Sequence, residues 1–200
     1  TIATAEGPRE IVAEAVGLKL LLYAASGLGA LLIGAYASTR WETWLLYQYA
    51  TPFGTQDPIL GRDVGFYVFQ LPFLQFVQGL LTIALVLAVV VAAGPYLLSG
   101  AVRVDTGRGV YLARDAARRH LSILGAGLLA VLAFGAFLAI PATLTEPSGI
   151  VHGASNADVQ ARLPALRRLM VAALAGVVLA LYQAFCRSFW PILTAGGLYV

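Results

Sequence analysis

The stretch "FLQFVQGLLTIALVLAVVVAAGPYLL", residues 73–98, decides the fold class of this chain. It contains no charged residue, and the uncharged run around it extends from Val64 to Val102. A helix needs about 20 apolar residues to cross a hydrocarbon core of roughly 30 Å at about 1.5 Å per residue. The stretch therefore predicts a membrane-spanning helix, bounded or kinked by Pro72 near its start and by Pro95 near its end.

The composition of the whole chain agrees with a membrane protein. Hydrophobic residues make up 60% of the 200 positions and charged residues 12%, and the mean hydropathy is +0.81. These values lie outside the range of soluble globular domains, so we predict the lipid bilayer as a partner. The basic residues cluster at the ends of apolar runs, which argues against a nucleic-acid partner. A single cysteine, Cys186, excludes an internal disulfide.

Three further apolar runs have the length of a spanning helix. Together with the first they make four predicted spans, at about residues 15–37, 73–98, 120–140 and 169–186. We therefore predict an all-α fold, a multi-pass transmembrane helical domain that occupies residues 1–200. Because the chain starts at Thr1 without a methionine, we expect it to be a fragment of a longer protein.

A short amphipathic segment at about residues 40–49 follows the first predicted span. Trp41, Trp44 and Tyr49 fall on one face at helical spacing, and such side chains favour the level of the lipid headgroups. Thr39 and Glu42 have the spacing of a capping box. The segment predicts a short helix that lies in the membrane interface.

Small side chains recur every four residues in the first and the last predicted span. The two stripes consist of Ser26, Ala30 and Gly34, and of Ala172, Gly176 and Ala180. Stripes of small residues let two helices approach closely in a membrane. We expect both to contact other membrane helices, either of the same longer chain or of a larger membrane complex.

The distribution of basic residues predicts the orientation. Eight of the 13 Lys and Arg residues lie in the N-terminal part, in the loop at 99–119 and at Arg187, and five lie in the loops at 38–70 and 141–168. Cytoplasmic loops carry the excess of Lys and Arg. We therefore predict that 99–119 lies in the cytoplasm and that 38–70 and 141–168 lie outside it.

The loop "FGTQDPILGRDVGFYVFQLPF", residues 53–73, mixes turn formers, charges and aromatic residues where a simple connector needs only a few polar ones. Glycine and proline favour a tight turn, and the aromatic residues favour the interface. We predict a folded extracytoplasmic element whose charges face water or a partner. A polar connector at 141–168 shares this side of the membrane in the predicted topology.

These motifs occur in the same order in a family of large bacterial membrane proteins. "WETWLL" at 41–46, the loop at 53–73 and "GASNADVQARLP" at 153–164 resemble the signature segments of uncharacterised protein family 0182. The resemblance implies that the chain is an interior part of the N-terminal membrane half of a longer protein with a large extracytoplasmic part. It also implies a location in the bacterial plasma (inner) membrane, and it implies no specific activity. The candidate structural and interaction residues are Trp41, Phe53, Gly54, Asp57, Pro58, Gly61, Arg62, Asp63, Phe66, Tyr67, Pro72, Gly153, Asp158, Arg162 and Pro164.

The acidic residues of the two loops allow two interpretations. Asp57, Asp63 and Asp158, with Glu146, would suit a hard cation such as Ca²⁺ if they met at one site. Structural roles explain the same residues, because Asp57 before a proline starts a turn and Asp63 either pairs with Arg62 or caps a turn.

The second loop has local explanations of its own. Ser155 with Asp158 fits a helix N-terminus, and the i, i+4 spacing of Asp158 and Arg162 predicts a local ion pair. Since these roles are sufficient, we predict no metal ligand, no cofactor-binding residue and no catalytic residue in either loop.

The remaining polar residues decide between classes of function. His120 and His152 lie on opposite sides of the predicted membrane, which argues against a bis-histidine cofactor site and leaves each to be an interfacial side chain or a lone ligand. Gln75 and Gln78 are among the most polar side chains of the predicted spans, and they lie near a helix start. The spans therefore lack the ionisable groups that carriers place in the middle of the membrane. We expect a scaffold, accessory subunit or membrane anchor that is not an enzyme. The alternatives are a transporter or channel module and a membrane-embedded enzyme component.

Overall fold

The computed structural model describes residues 8–98, 102–105, 109–112, 115–145, 147–148, 151–152 and 155–186. The fold is all-α, as predicted. Its helices are α1 (Pro8–Ser38), α2 (Trp41–Gln48), α3 (Leu71–Leu98), α4 (Asp115–Ala142) and α5 (Leu163–Phe185). Four helical segments are long and apolar enough to cross a membrane: Lys19–Ser38, Phe66–Leu97, Asp115–Ala142 and Asp158–Phe185.

Two short antiparallel hairpins lie in the connections, and the sequence analysis did not predict them. Strands β1 (Val102–Asp105) and β2 (Gly109–Leu112) pair before α4. Strands β3 (Pro147–Ser148) and β4 (Val151–His152) pair after it. Both hairpins are too short to change the fold class.

The second and fourth spanning segments begin earlier than the apolar runs predict. A π turn at Phe66–Gln70 continues directly into α3, and another at Asp158–Arg162 continues into α5. Each π turn is followed by a leucine and a proline, at Pro72 and Pro164. A proline in a helix lacks an N–H and its ring clashes with the carbonyl four residues earlier. In both segments the helix nevertheless continues through the proline, which lies two residues after the end of the wider π turn.

The prolines therefore do not bound these helices. Pro72 lies within the first turn of α3, and Pro95 lies inside it. The leucines before the two π-turn prolines are buried, with Leu71 2% and Leu163 5% exposed. A buried side chain at each of these positions anchors the start of the helix against its neighbours.

The chain forms two compact units. The first contains α1 and ends at Thr39, and the second begins at Arg40 and contains the other helices. On α1 the small residues Ser26, Ala30 and Gly34 are exposed. Their predicted role in helix packing stays a prediction.

In the second unit α4 packs against both α3 and α5. Small residues on α4 make this possible, since Ala126, Ala133 and Ala136 are buried. A Cβ placed on Gly127 would lie 3.5 Å from Leu85 of α3. Glycine and alanine let helices approach closely in a membrane, where packing replaces the hydrophobic effect as the source of stability.

Gln78 makes a polar contact between two of these helices. Its Nε2 donates to Thr82 Oγ1 at 3.1 Å and to the carbonyl of Val131 in α4 at 3.5 Å. A Cβ on Gly135 would lie 2.7 Å from the same nitrogen, so the glycine provides the space for the amide. Because the spanning segment begins at Phe66, Gln78 lies further along it than the sequence analysis placed it.

The last stripe of small residues meets α4 in part. A Cβ on Gly176 would lie 3.1 Å from Leu129 Cδ1, and Ala184, two steps of four residues further along the same face, is fully buried. Ala172, by contrast, is exposed. Along α5 the stripe therefore begins at an exposed residue, Ala172, and reaches the contact with α4 at Gly176.

A leucine at Gly176 is expected to destabilise the full-length protein by about 1–3 kcal/mol, because its side chain would overlap Leu129. The control is Val178→Leu, since Val178 is 66% exposed. Thermal unfolding of both variants in the same detergent measures the difference. Equal stability of the two would mean that this face of α5 does not carry the contact.

Polar side chains also join the helices at the end where α4 begins. Arg118 is 4% exposed, its Nη1 donates to the carbonyl of Cys186 at the end of α5 at 2.7 Å, and its Nη2 lies 3.4 Å from Asp115. The hydroxyl of Tyr96 in α3 lies 3.0 Å from Nδ1 of His120. At this level α4 is thus connected to both of its neighbours.

Candidate interaction site at the loop 53–73

The carboxylate of Asp63 organises the loop. Its Oδ1 accepts hydrogen bonds from the backbone N–H groups of Phe53 at 3.0 Å and Gly65 at 2.7 Å, and its Oδ2 accepts one from Gly54 at 2.9 Å. The N–H of Val64 donates to the carbonyl of Thr55 at 2.9 Å beside them. One side chain therefore fastens the beginning of the loop to its end.

These hydrogen bonds favour the ionised form of the carboxyl group. The N–H of Phe53 contributes most to holding the pKa of Asp63 below its usual value, followed by the N–H of Gly65, with a smaller contribution from Gly54. Asp63 is therefore a charged acceptor at neutral pH. Of the two structural roles predicted for it, the geometry corresponds to the cap and not to a pair with Arg62.

Asp57 builds the tight turn inside the loop. Its Oδ2 accepts from the N–H of Leu60 at 2.6 Å, and its carbonyl accepts from the N–H of Gly61 at 2.9 Å. The same Oδ2 accepts from the hydroxyl of Tyr67 at 3.2 Å, which ties the turn to the π turn before α3. Pro58 follows Asp57 directly, as in the turn that the sequence predicts.

Two glycines of the motif have backbone conformations that other residues avoid. Gly54 has φ +73° and Gly61 has φ +65°. This left-handed region costs an L-residue with a Cβ roughly 1–2 kcal/mol. A third glycine, Gly65, is buried, and a Cβ there would lie only 2.6 Å from the carbonyl oxygen of Thr51. The position therefore has no space for a larger residue.

We expect Gly61→Ala to lower the stability of the loop by about 1–2 kcal/mol, because alanine at this φ is strained. Limited proteolysis of the full-length protein, which reports local opening of the loop, measures the effect. Gly79→Ala in α3 is the matched control, because its added Cβ meets nothing within 4 Å. Identical cleavage rates in the two variants would contradict the strained turn.

Aromatic residues attach the loop and α2 to the start of α3. Phe53 stacks on Phe69 with ring centroids 5.7 Å apart. Trp44 and Tyr47 of α2 both contact Phe73, at 5.3 and 4.6 Å. The rings thus fasten the loop and α2 to the start of the second spanning segment.

The outer face of this assembly is apolar and exposed. On α2, Trp41 is 59% and Tyr49 79% exposed, and in the loop Phe53 is 55% exposed. The predicted capping box is wrong: Thr39 Oγ1 donates back to the carbonyl of Tyr36, and α2 has no side-chain cap. Since Thr39 can bond either helix, its hydroxyl completes the last turn of α1 instead of the first turn of α2.

A small core lies below the loop, where the π turn meets the end of α4. Tyr67 and Leu71 pack with Leu138 and Ala142. Thr143 is also buried, and its hydroxyl donates to the carbonyl of Ala139 at 2.8 Å. The loop is therefore part of the folded unit and is supported by two spanning helices.

Arg62 lies on aromatic rings. Its guanidinium is 4.3 Å from the ring centre of Phe66 and 5.6 Å from that of Phe137 in α4. A cation over an aromatic face is held by the electron density of the ring. The sequence contained this possibility, because Arg62 and Phe66 are four residues apart, but the partner on α4 is visible only in the fold.

The second loop has the helix start that the sequence predicts. The hydroxyl of Ser155 donates to Oδ2 of Asp158 at 2.8 Å, and the N–H of Asp158 donates back to that hydroxyl at 3.2 Å. The π turn that contains Arg162 follows, and Pro164 stands after it. The Asp158–Arg162 ion pair stays a prediction, and Gly153 and Glu146 lie outside the described residues.

The fold brings the first motif loop close to α5 through basic and apolar residues, and a contact between the two motif loops themselves stays a prediction. Leu60 and Arg62 of the first loop line one cleft with Arg167 and Met170 of α5. Within the part of the chain that the structure describes, no three His, Cys, Asp or Glu side chains are grouped so that they could hold a metal ion. The described carboxylates Asp57, Asp63 and Asp158 accept hydrogen bonds from groups of their own loops.

The family model described as "Uncharacterised protein family (UPF0182)" matches residues 4–200, almost the whole chain. The chain belongs to this family. The matched range includes both motif loops. The name of the family assigns no activity to them.

Relatives in UPF0182 come from several bacteria. A protein of Frankia alni is 39% identical over 182 residues, which cover 90% of this chain and 17% of the relative. Proteins of a Geobacter species and of Kocuria rhizophila are each 38% identical and cover 76% and 96% of this chain. The chain thus spans about a sixth of the length of the curated relatives it matches. No solved structure matches the chain.

Proposed function

We propose that this UPF0182 segment is a membrane anchor and scaffold. It presents a rigid platform, made of α2 and the loop 53–73, on the extracytoplasmic side of the bacterial plasma membrane. The observation that carries the proposal is the carboxylate of Asp63, which accepts three backbone N–H groups. A catalytic acid or a metal ligand needs an oxygen that faces the ligand. Here both oxygens hold the loop in shape, and Asp57 has a comparable role in its turn.

The exposed rings of the platform support an interaction role. Trp41, Tyr49 and Phe53 lie outside the small core and are more than half exposed. Aromatic residues of this kind favour either the headgroup level or a protein contact. Most of the length of the relatives lies outside this segment, so the partner proposed is another part of the same longer chain or a further subunit of a membrane complex.

A transporter or channel module is the second candidate, and Gln78 is the observation that favours it. Polar groups within spanning helices often mark a pathway. The Gln78 amide, however, donates to Thr82 and to the backbone of Val131. These bonds give it a sufficient role in joining α3 to α4, which is why the scaffold ranks first.

Photo-crosslinking in intact cells tests the scaffold. A photoreactive residue replaces Phe53 of the full-length protein in one variant and Val90 in another, because Val90 is 63% exposed on α3 within the spanning segment. The scaffold predicts a discrete protein cross-link from position 53 and none from position 90. Absence of a cross-link from 53, together with solute flux in proteoliposomes that Gln78→Met abolishes, would contradict the scaffold and establish transport.

The topology is tested by thiol labelling. In full-length protein without other cysteines, including Cys186→Ala, a cysteine is placed at Thr55 or at Gly107. Because the basic residues favour the side that contains 107 as cytoplasmic, an impermeant thiol reagent should label position 55 in intact cells and position 107 only after lysis. Labelling at 107 alone would reverse the orientation.

A further inference from the structure

A cleft of about 330 Å³ opens between the first loop, the end of α4 and the start of α5. Two of its lining residues are arginines. The other five are apolar and are called the floor of the cleft below. The residues that line it are Leu60, Arg62, Phe137, Ile140, Pro141, Arg167 and Met170.

The cleft carries positive charge, because two arginines line it and no carboxylate of the described residues does. The guanidinium of Arg62 lies over the rings of Phe66 and Phe137. Arg167 is exposed. Two guanidinium groups at the mouth of one cleft favour an anion, and a planar guanidinium suits phosphate oxygens.

The cleft also lies near one end of two segments that are long and apolar enough to span a membrane, where lipid headgroups are expected. Phe137 and Pro141 belong to the last turns of the spanning segment Asp115–Ala142, while Arg167 and Met170 belong to the first half of Asp158–Phe185. The apolar floor thus consists largely of residues that belong to two spanning segments. A ligand that matches both parts must be an amphiphile with an anionic head.

We propose that this cleft binds an anionic phospholipid, with its phosphate between Arg62 and Arg167 and an acyl chain along Phe137, Ile140 and Met170. The arrangement follows the general rule that basic pockets between spanning helices bind lipid headgroups. An acidic protein segment would satisfy the arginines but would leave the apolar floor at the hydrocarbon boundary without a suitable partner. The inference does not depend on the scaffold role or on the orientation, because both leaflets contain phospholipid.

The test measures binding of dioleoylphosphatidylglycerol to the full-length protein in detergent, by native mass spectrometry and by the shift of the melting temperature. Dioleoylphosphatidylcholine is the neutral comparison lipid, and glycerol 3-phosphate is the anion without acyl chains. The variants are Arg167→Gln and Arg62→Gln/Arg167→Gln. Arg168→Gln is the matched control, because Arg168 is exposed next to Arg167 but does not line the cleft.

We expect the anionic lipid to bind and stabilise the protein more than the neutral lipid does. Affinity should fall roughly fivefold in Arg167→Gln and roughly 25-fold in the double variant, since each arginine near a phosphate contributes a comparable electrostatic attraction. Arg168→Gln should bind like the unchanged protein. Arg167→Gln keeps the test valid if loss of Arg62 disturbs the loop.

Three results would overturn the proposal. Equal affinities in Arg167→Gln and Arg168→Gln would show that the cleft is not the lipid site. An equal shift with glycerol 3-phosphate would assign the site to a free phosphate. A protein segment that remains bound to the cleft after delipidation, detected as a cross-link from position 170, would assign it to an acidic partner.

Discussion

Replacing Arg118 with methionine is expected to lower the stability of the full-length protein by about 1.5–3 kcal/mol, the range for a hydrogen bond to a charged group. Methionine retains much of the apolar volume but cannot donate to the carbonyl of Cys186, which then loses its partner at the end of α5. The adjacent carboxylate of Asp115 also loses its ion pair. Thermal unfolding monitored by size-exclusion chromatography measures the effect.

Arg119→Met is the control for this experiment. Arg119 has the same charge and stands next to Arg118, but its side chain is exposed. We expect a change within about 0.5 kcal/mol, as for most surface substitutions. If both variants lost equal stability, the effect would come from the basic character of the helix start and not from the connection between α4 and α5.

Within the guanidinium of Arg118, Nε is buried and has no hydrogen-bond partner among the described residues. An unpaired buried donor costs free energy, so this arginine offsets part of its own contribution. Arg118→Lys is therefore informative as a third variant. Lysine can reach one acceptor but lacks the planar group that spans Cys186 and Asp115, and we expect a stability between those of the methionine variant and the unchanged protein.

The second large effect is expected from Asp63→Asn. Asparagine retains one oxygen and replaces the other by an NH₂ group, which would face a backbone N–H donor of Phe53, Gly54 or Gly65. The loop should then open, the folded yield of the full-length protein should fall several-fold, and the cross-link from position 53 should disappear. Yield after size-exclusion chromatography and the cross-linking assay measure the two effects.

Glu42→Gln is the matched control, because Glu42 is an exposed carboxylate in the first turn of α2. Its yield and cross-linking should not change. If Asp63→Asn kept the yield and the cross-link of the unchanged protein, the architectural role of Asp63 would be contradicted. If that variant folded fully and retained its cross-link while a stoichiometric metal or an enzymatic activity vanished, the carboxylate would be a ligand or a catalytic group.

Acid should act on the loop in the same direction as the substitution. The pKa of Asp63 is lower in the folded protein than its ordinary value of 3.8. Its stabilising contribution is therefore fully present above that ordinary value and is lost as the pH falls through the lower folded-state pKa. Protection of the loop from proteolysis should be constant from neutral pH to about pH 5 and should decrease only in stronger acid.

Much of this protein follows from the sequence alone. The uncharged run between Val64 and Val102 is long enough to cross a membrane, and length with hydrophobicity is sufficient to predict a span. The turn at Asp57 and the helix start at Ser155 also follow from sequence, because each uses atoms within a few residues of each other. Local geometry and solvent preference act along the chain, and a pattern of residues records them directly.

The tertiary structure decided which partners distant residues have. Arg118 and Arg119 are neighbours of the same type, but only Arg118 meets the end of α5, 68 residues away. Arg62 stands beside Asp63 but rests on Phe66 and Phe137. A polar side chain becomes part of a contact only when another helix packs over it, and no local pattern contains that information. The four spans were predictable because length and hydrophobicity are properties of the chain itself. The cleft between Arg62 and Arg167, by contrast, exists only because the first loop, α4 and α5 meet there.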